Sequence, residues 1–336
     1  MLPKKITPES KVHLVHTSSP VEKSDAALFE SALKKLKTMY PHTQLFDVQR
    51  DDLDLRYLSG SAIERLKKFR QAAKEANWLL PVYGGTGCED IISRLNDSDL
   101  VKIRKNRPVV NGFSDTTILI NYLYFMLKLN TFHYSNTCGL VENENNKLFF
   151  DVIEGKRDSF SFKTDKYEWV GPSGAPNEKI DGVAIGGNLS VFRDLLDMFE
   201  MRLRTWDDYI LFAEDEDMDI QDLHPVIVSL DKRGVFRHIK ALVIGRFNDR
   251  ETNMKFKKLD TMFRHEKIVD EKPIWTFKYL LSDVISARAK SGNPLHILSV
   301  DNLGHDVGKN PMLIPIGAKT IIHPDKKIEF VGPFVE

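Results

Sequence analysis

The chain has 336 residues, enough for more than one hydrophobic core, so two domains are expected. Hydrophobic residues make up 42% and charged residues 29%, the balance of a folded protein rather than a disordered one. Lys+Arg and Asp+Glu both number 48, so net charge gives no long-range pull toward nucleic acid or an anionic membrane. The two cysteines, Cys88 and Cys138, are too few for a disulfide framework and suit a reducing compartment; a cytoplasmic protein is expected. The first residues carry charge with no apolar run behind them, so no leader peptide is expected. No apolar stretch approaches the ~18–20 residues that cross a bilayer.

In chain order, Val12–Val15 reads as a strand ending at the turn-forming Thr17-Ser18-Ser19-Pro20, and Ala26–Met39 as a helix. Thr43–Val48 is a strand, Ile63–Ala76 a helix, and Trp78–Tyr83 an almost wholly apolar strand closed by Gly84-Gly85. Pro108–Phe113 and Thr131–Tyr134 repeat the strand signal around a helix over Thr116–Leu127. This alternation predicts an α/β protein with a Rossmann-like parallel sheet in an N-terminal domain, residues 1–155. A polar stretch with Pro172, Pro176 and several glycines reads as a linker over 156–180. Beyond it, strands are predicted at Val183–Ile185, Tyr209–Ala213, Ala241–Phe247 and Leu295–Val300. Helices are predicted at Leu189–Phe199 and Ile220–Lys232, and paired strands within Met312–Phe330. The second domain, 181–336, is therefore expected to be mixed α/β and β-rich.

Ligands of parallel α/β sheets bind beyond the carboxyl ends of the strands, which directs attention to Tyr83-Gly84-Gly85-Thr86-Gly87-Cys88-Glu89-Asp90 and the helical run Ile91–Leu95. A glycine-rich strand-to-helix turn can lift Cys88 over free helix N-terminal N–H groups, which would stabilise an oxyanion and lower the thiol pKa. Such turns also bind phosphate, and free cysteines are often small buried hydrophobes. The loop alone leaves these readings open.

Several segments together resemble the family of murein tetrapeptide LD-carboxypeptidases and microcin-immunity hydrolases. They are the opening Leu2-Pro3 through Val12–Val15 with Ser18-Ser19-Pro20, then Tyr57–Ser61 with Glu64-Arg65, and the Gly84–Cys88 loop. Gly112-Phe113-Ser114-Asp115-Thr116-Thr117, Gly186–Ser190, Leu211–Asp215, and Gly304-His305 followed by Ile314–Ala318 match in order. The resemblance implies a cytoplasmic peptidase acting on a muropeptide-like substrate, forming a homodimer and needing no cofactor. It carries the catalytic roles onto Cys88 as nucleophile (in place of the family's serine), His305 as proton carrier and Glu214 as its orienter. Backbone N–H groups of Gly85 and Glu89 are the candidate oxyanion donors, and Ser114, Asp115 and Asn188 are expected to line the substrate site. By themselves Glu214 would read as part of a solvated acidic run, Glu214–Asp217, and His305 as an exposed turn histidine. Tyr83 and Asp90 stand where the family commonly has arginines, which would weaken attraction for a substrate carboxylate. No metal-ligand spacing occurs. Rival readings are a peptide-nucleotide amide hydrolase, a glutamine-amidotransferase-like cysteine amidase with His323-Pro324-Asp325 as a faint echo, and a non-catalytic peptide-binding protein.

Overall fold

The computed structural model describes residues 1–48, 57–142, 145–170, 173–199, 206–216, 218, 220–248, 277, 279–305, 307 and 310–336. The chain divides into two compact units. The first holds Met1–Phe160, Lys309–Lys319 and Phe330–Glu336; the second holds Ser161–Gly308 and Thr320–Glu329.

In the first unit β1 (Val12–Val15), α1 (Ala26–Met39), β2 (Thr43–Phe46), α2 (Ala62–Ala73) and β3 (Trp78–Pro81) lead to α3 (Cys88–Ile92) and α4 (Asp97–Asn106). There follow β4 (Val109–Gly112), a 3-10 turn at Ser114–Thr116, α5 (Thr117–Leu127), β5 (Thr131–His133), α6 (Gly139–Glu142) and α7 (Asn146–Ile153). Every residue of β1, β3, β4 and β5 is buried, as in strands covered on both faces, including the polar His13, Asn111, Thr131 and His133. The strand order is β2-β1-β3-β4-β5, all parallel, with Ile314–Ile316 added antiparallel beside β5. Sequence order reverses between β1 and β3, so the loops after these two strands flank the switch point of the sheet, where ligands of such folds bind.

The second unit has a different centre. Strands β6 (Ser159–Phe162) and β7 (Glu168–Val170) precede β8 (Ile180–Asn188), α8 (Leu189–Met198), β9 (Tyr209–Glu216), α9 (Ile220–Lys232) and α10 (Val235–His238). Then come β10 (Ala241–Asn248), α11 (Ser282–Lys290) and β11 (His296–Ser299); β12 (Ile314–Ile316) goes to the sheet of the first unit, and β13 (Lys319–Ile322) and β14 (Ile328–Val331) follow. The eight-stranded sheet runs β6-β14-β13-β8-β9-β10-β11-β7, with β8 through β11 mutually parallel and β7 antiparallel to β11. The α/β class with a mixed, β-rich second half is as expected.

Three details differ from the sequence reading. The stretch 156–180, read as a linker, supplies the strands β6 and β7. The stretch 181–336, read as one domain, returns Lys309–Lys319 and Phe330–Glu336 to the first unit. Finally, β9 continues past Ala213 to Glu216, so Glu214 and Asp215 lie within a strand instead of a solvated loop. Part of the acidic run, Asp217, falls outside the described residues.

Candidate active site

The turn after β3 is built by glycines. Gly85 (φ +96°) and Gly87 (φ +112°) both take left-handed backbone angles that other residues adopt only with strain. A Cβ on Gly85 would sit 2.2 Å from Ser19 Oγ, and one on Gly87 2.7 Å from Leu58 Cδ2. Gly87 caps α3, so the helix begins at Cys88 itself, three residues earlier than the periodicity indicated. Cys88 is fully buried.

Around it the loop after β1 contributes Thr17, whose hydroxyl hydrogen-bonds the thiol, and Ser19, whose Oγ accepts from Thr86 N at 3.2 Å. Asp115 accepts from Cys88 N at 2.9 Å through Oδ2, and its carboxylate also bonds Ser18. Burial pushes the Asp115 carboxyl up to about 7, against the opposing effect of these hydrogen bonds. Glu89 Oε2 accepts from Gly87 N at 3.1 Å. Ser114 holds a left-handed φ of 58°, and its Cβ would be 3.1 Å from a Cβ placed on Gly84. Gly85, Cys88, Glu89, Ser114 and Asp115 therefore share one neighbourhood of the first unit.

The sequence expectation that the helix's positive end lowers the thiol pKa is overturned. Burial first, and then the charges of Asp115 and Glu89, push the Cys88 thiol well up, outweighing Arg65 and Thr17. The short helix α3 also carries Glu89 and Asp90 in its first turn, which offset its dipole.

Asn188, Glu214 and His305 belong to the second unit, where Asn188 pairs in register with Glu214 across β8 and β9. Glu214 is fully buried, and its Oε2 lies 2.8 Å from His305 Nδ1. Glu216 Oε2 lies 3.4 Å from His305 Nε2. Burial pulls the imidazole pKa down, but the charge and hydrogen bond of Glu214, with Glu216 and Asp215 behind it, push it up to about 9. Asn188 caps α8, with Oδ1 accepting from Val191 N at 3.2 Å, while its Nδ2 donates to Asp215 Oδ1 at 2.9 Å. Asp215 also accepts from Ser190 N at 2.8 Å, and burial beside Glu214 pushes its carboxyl up to about 6.

Sequence reading left Arg65, Thr17 and Asp215 without roles, although all three neighbour or lie within motifs that it picked out. Their signal was a polar residue inside a motif otherwise explained by turns. His323-Pro324-Asp325 forms the turn between β13 and β14, with His323 N donating to Lys327 O at 2.9 Å.

Fold and local chemistry together describe a two-unit α/β protein with a glycine-built thiol elbow in one unit and a buried carboxylate–imidazole pair in the other. Residues 12–134 match the LD-carboxypeptidase N-terminal domain and residues 181–322 the LD-carboxypeptidase C-terminal domain. The chain belongs to the LD-carboxypeptidase family. A protein of Treponema pallidum, provisionally designated a carboxypeptidase, is 23% identical over 288 residues, covering 79% of this chain and 82% of that protein. Among solved structures, the microcin C7 self-immunity protein MccF matches with a TM-score of 0.77 at 16% identity over 100% of both chains. The muramoyltetrapeptide carboxypeptidase of Oxalobacter formigenes matches with a TM-score of 0.69 at 18% identity, over 97% of this chain and 100% of that one. No helix among the described residues is long and apolar enough to cross a membrane.

Proposed function

We propose that the protein is a cysteine-dependent LD-carboxypeptidase that releases the terminal D-amino acid from an L,D-peptide bond of a small murein peptide in the cytoplasm. Cys88 is the nucleophile, His305 the proton carrier and Glu214 the group that orients the imidazole. The observation that carries the reading is the 2.8 Å bond between buried Glu214 and His305 Nδ1, which supports Nε2 as the proton-exchanging nitrogen.

In this scheme the Cys88 sulfur attacks the scissile carbonyl carbon while its proton passes to His305 Nε2. The tetrahedral intermediate then expels the amine, which takes that proton from His305 as the C–N bond breaks. Water, deprotonated by His305, attacks the thioester and regenerates the thiol. Because the resting thiol is held neutral, proton transfer accompanies attack instead of preceding it. Cys88 N is engaged by Asp115, so oxyanion stabilisation falls to the backbone N–H groups of Gly85 and Glu89. Ser114, Asp115 and Asn188 border the substrate, and two chains form a homodimer.

Incubation with murein tetrapeptide tests the reading: free D-alanine supports it, and none from either wild type or Cys88→Ser rejects it. A second substrate class is favoured by one observation. MccF, with the same fold, has been solved with aspartyl sulfamoyl adenosine. An aminoacyl-nucleotide amide therefore belongs in the same assay, and the faster of the two substrates decides between them.

A further inference from the structure

The peptide that joins Gly87 to Cys88 is held at both of its poles by buried side chains, a guanidinium at one end and a carboxyl group at the other. Gly87 O accepts from Arg65 Nη1 at 2.6 Å, and Cys88 N donates to Asp115 Oδ2 at 2.9 Å. Arg65, from α2, is 0% exposed and Asp115, from the turn after β4, 5%. The same guanidinium donates through Nη1 to Thr17 O at 2.5 Å and through Nη2 to Asp90 Oδ2 at 2.7 Å. One side chain thus ties the loop after β1, the residue before Cys88 and the first turn of α3. Gly87 makes room for it, since a Cβ there would lie 2.9 Å from Nη1.

A peptide plane flips by compensating rotation about the ψ of one residue and the φ of the next, and a glycine on one side makes that flip cheap. Here a flip would turn the carbonyl toward a carboxyl group and the N–H toward a guanidinium. The charge-assisted bond to the guanidinium would become a repulsive contact, and Cys88 N would lose its buried acceptor. Burial sharpens the difference because neither side chain can turn to water instead.

We propose that Arg65 and Asp115 are positioning residues, a two-ended clamp on the Gly87–Cys88 peptide that sets the direction of the Cys88 sulfur. The proposal rests on the reading of Cys88 as nucleophile. Thr17 extends the clamp: its carbonyl is held by Arg65 and its hydroxyl bonds the thiol.

The test compares Arg65→Lys, Asp115→Asn and Asp115→Ala with wild type, each checked by thermal melting. Turnover of murein tetrapeptide is one readout; the rate at which iodoacetamide labels Cys88 relative to Cys138 is the other. Arg65→Lys keeps the charge and loses the fork, so kcat falls about tenfold or more with KM within about twofold. Its Cys88-to-Cys138 labelling ratio rises about fivefold as the elbow loosens. Asp115→Asn keeps an acceptor for Cys88 N and so loses less kcat than Asp115→Ala, which loses about tenfold. Unchanged kcat in both Arg65→Lys and Asp115→Ala overturns the clamp, as does equal loss in Asp115→Asn and Asp115→Ala, or loss that merely follows the melting point. If the wild type does not cleave the peptide, the labelling ratio still decides: no change in Arg65→Lys rejects the clamp whatever the substrate. Should Arg65→Lys fail to fold, the two Asp115 variants decide. A smaller loss of turnover in Asp115→Asn than in Asp115→Ala at matched melting points supports the clamp, and any other pattern rejects it.

Discussion

His305 carries its proton through neutral pH, because burial, which alone would lower its pKa, is outweighed by Glu214, Glu216 and Asp215, and the value stands at about 9. A base that must first lose a proton gives a rate that climbs with pH, so hydrolysis is expected to rise through pH 9 with a midpoint there. Glu214→Gln removes the nearest negative charge, lets the imidazole pKa fall and moves that limb to lower pH, while the plateau drops by about 10²-fold or more. A pH–rate profile checks both effects, and a histidine titrating at its ordinary value in the wild type contradicts them. The stability consequence has a definite sign. A histidine pKa raised above its unfolded value of 6.5 stabilises the fold fully below that pH and loses the contribution as pH rises through about 9. Glu216 and Asp215 keep part of the shift, so Glu214→Gln should lower stability by at most about 3 kcal/mol at pH 6, less above pH 9, as read by urea unfolding at the two pH values. Sequence picked out Cys88, Glu214 and His305 through their motifs. Residue order alone left the burial of Glu214 open and pointed to a lowered thiol pKa, because burial is set by strands that local order does not reveal.

Among the elements, the elbow after β3 is the least tolerant of change. Gly87→Ala would force a left-handed φ on a residue with a Cβ and drive that Cβ to 2.7 Å from Leu58 and 2.9 Å from Arg65. The expected cost is about 1–3 kcal/mol, with Cys88 displaced; a melting point within error of wild type would contradict this. At the start of α2, Ser61 accepts from Glu64 N at 3.2 Å, so Ser61→Ala should lower stability by about 1 kcal/mol, measurable by urea denaturation. The strands β1, β3 and β4 were legible because they are buried and rich in Val, Leu and Trp, β3 being apolar throughout. The strands β6 and β7 were missed: Ser159–Phe162 has the alternation of a half-buried strand but over only four residues, and Glu168–Val170 has no buried residue. The strand character of β7 comes from the neighbour it pairs with, β11, which its own residues do not signal.

At the scale of the whole molecule, the first unit is completed by residues far along the chain. Ile314–Ile316 pairs antiparallel with β5, and Leu313, Ile314 and Ile316 are all 0% exposed. A chain ending at residue 308 forfeits this strand, and at about 1.5–3 kcal/mol for each large side chain its first unit should lose several kcal/mol. An unchanged urea midpoint for the truncated chain would show that the returning strand is dispensable. The expected boundary at 181 missed this return because a pairing across some 180 residues leaves no trace in periodicity. The two-domain α/β plan itself was visible from strand and helix alternation. The central claim, that Cys88 drives hydrolysis of an L,D-linked peptide, is tested most directly by mass spectrometry of the products formed from murein tetrapeptide. Free D-alanine from the wild type and only background from Cys88→Ala is the expected result; silence from wild type and Cys88→Ser, or release by Cys88→Ala at the wild-type rate, would contradict it.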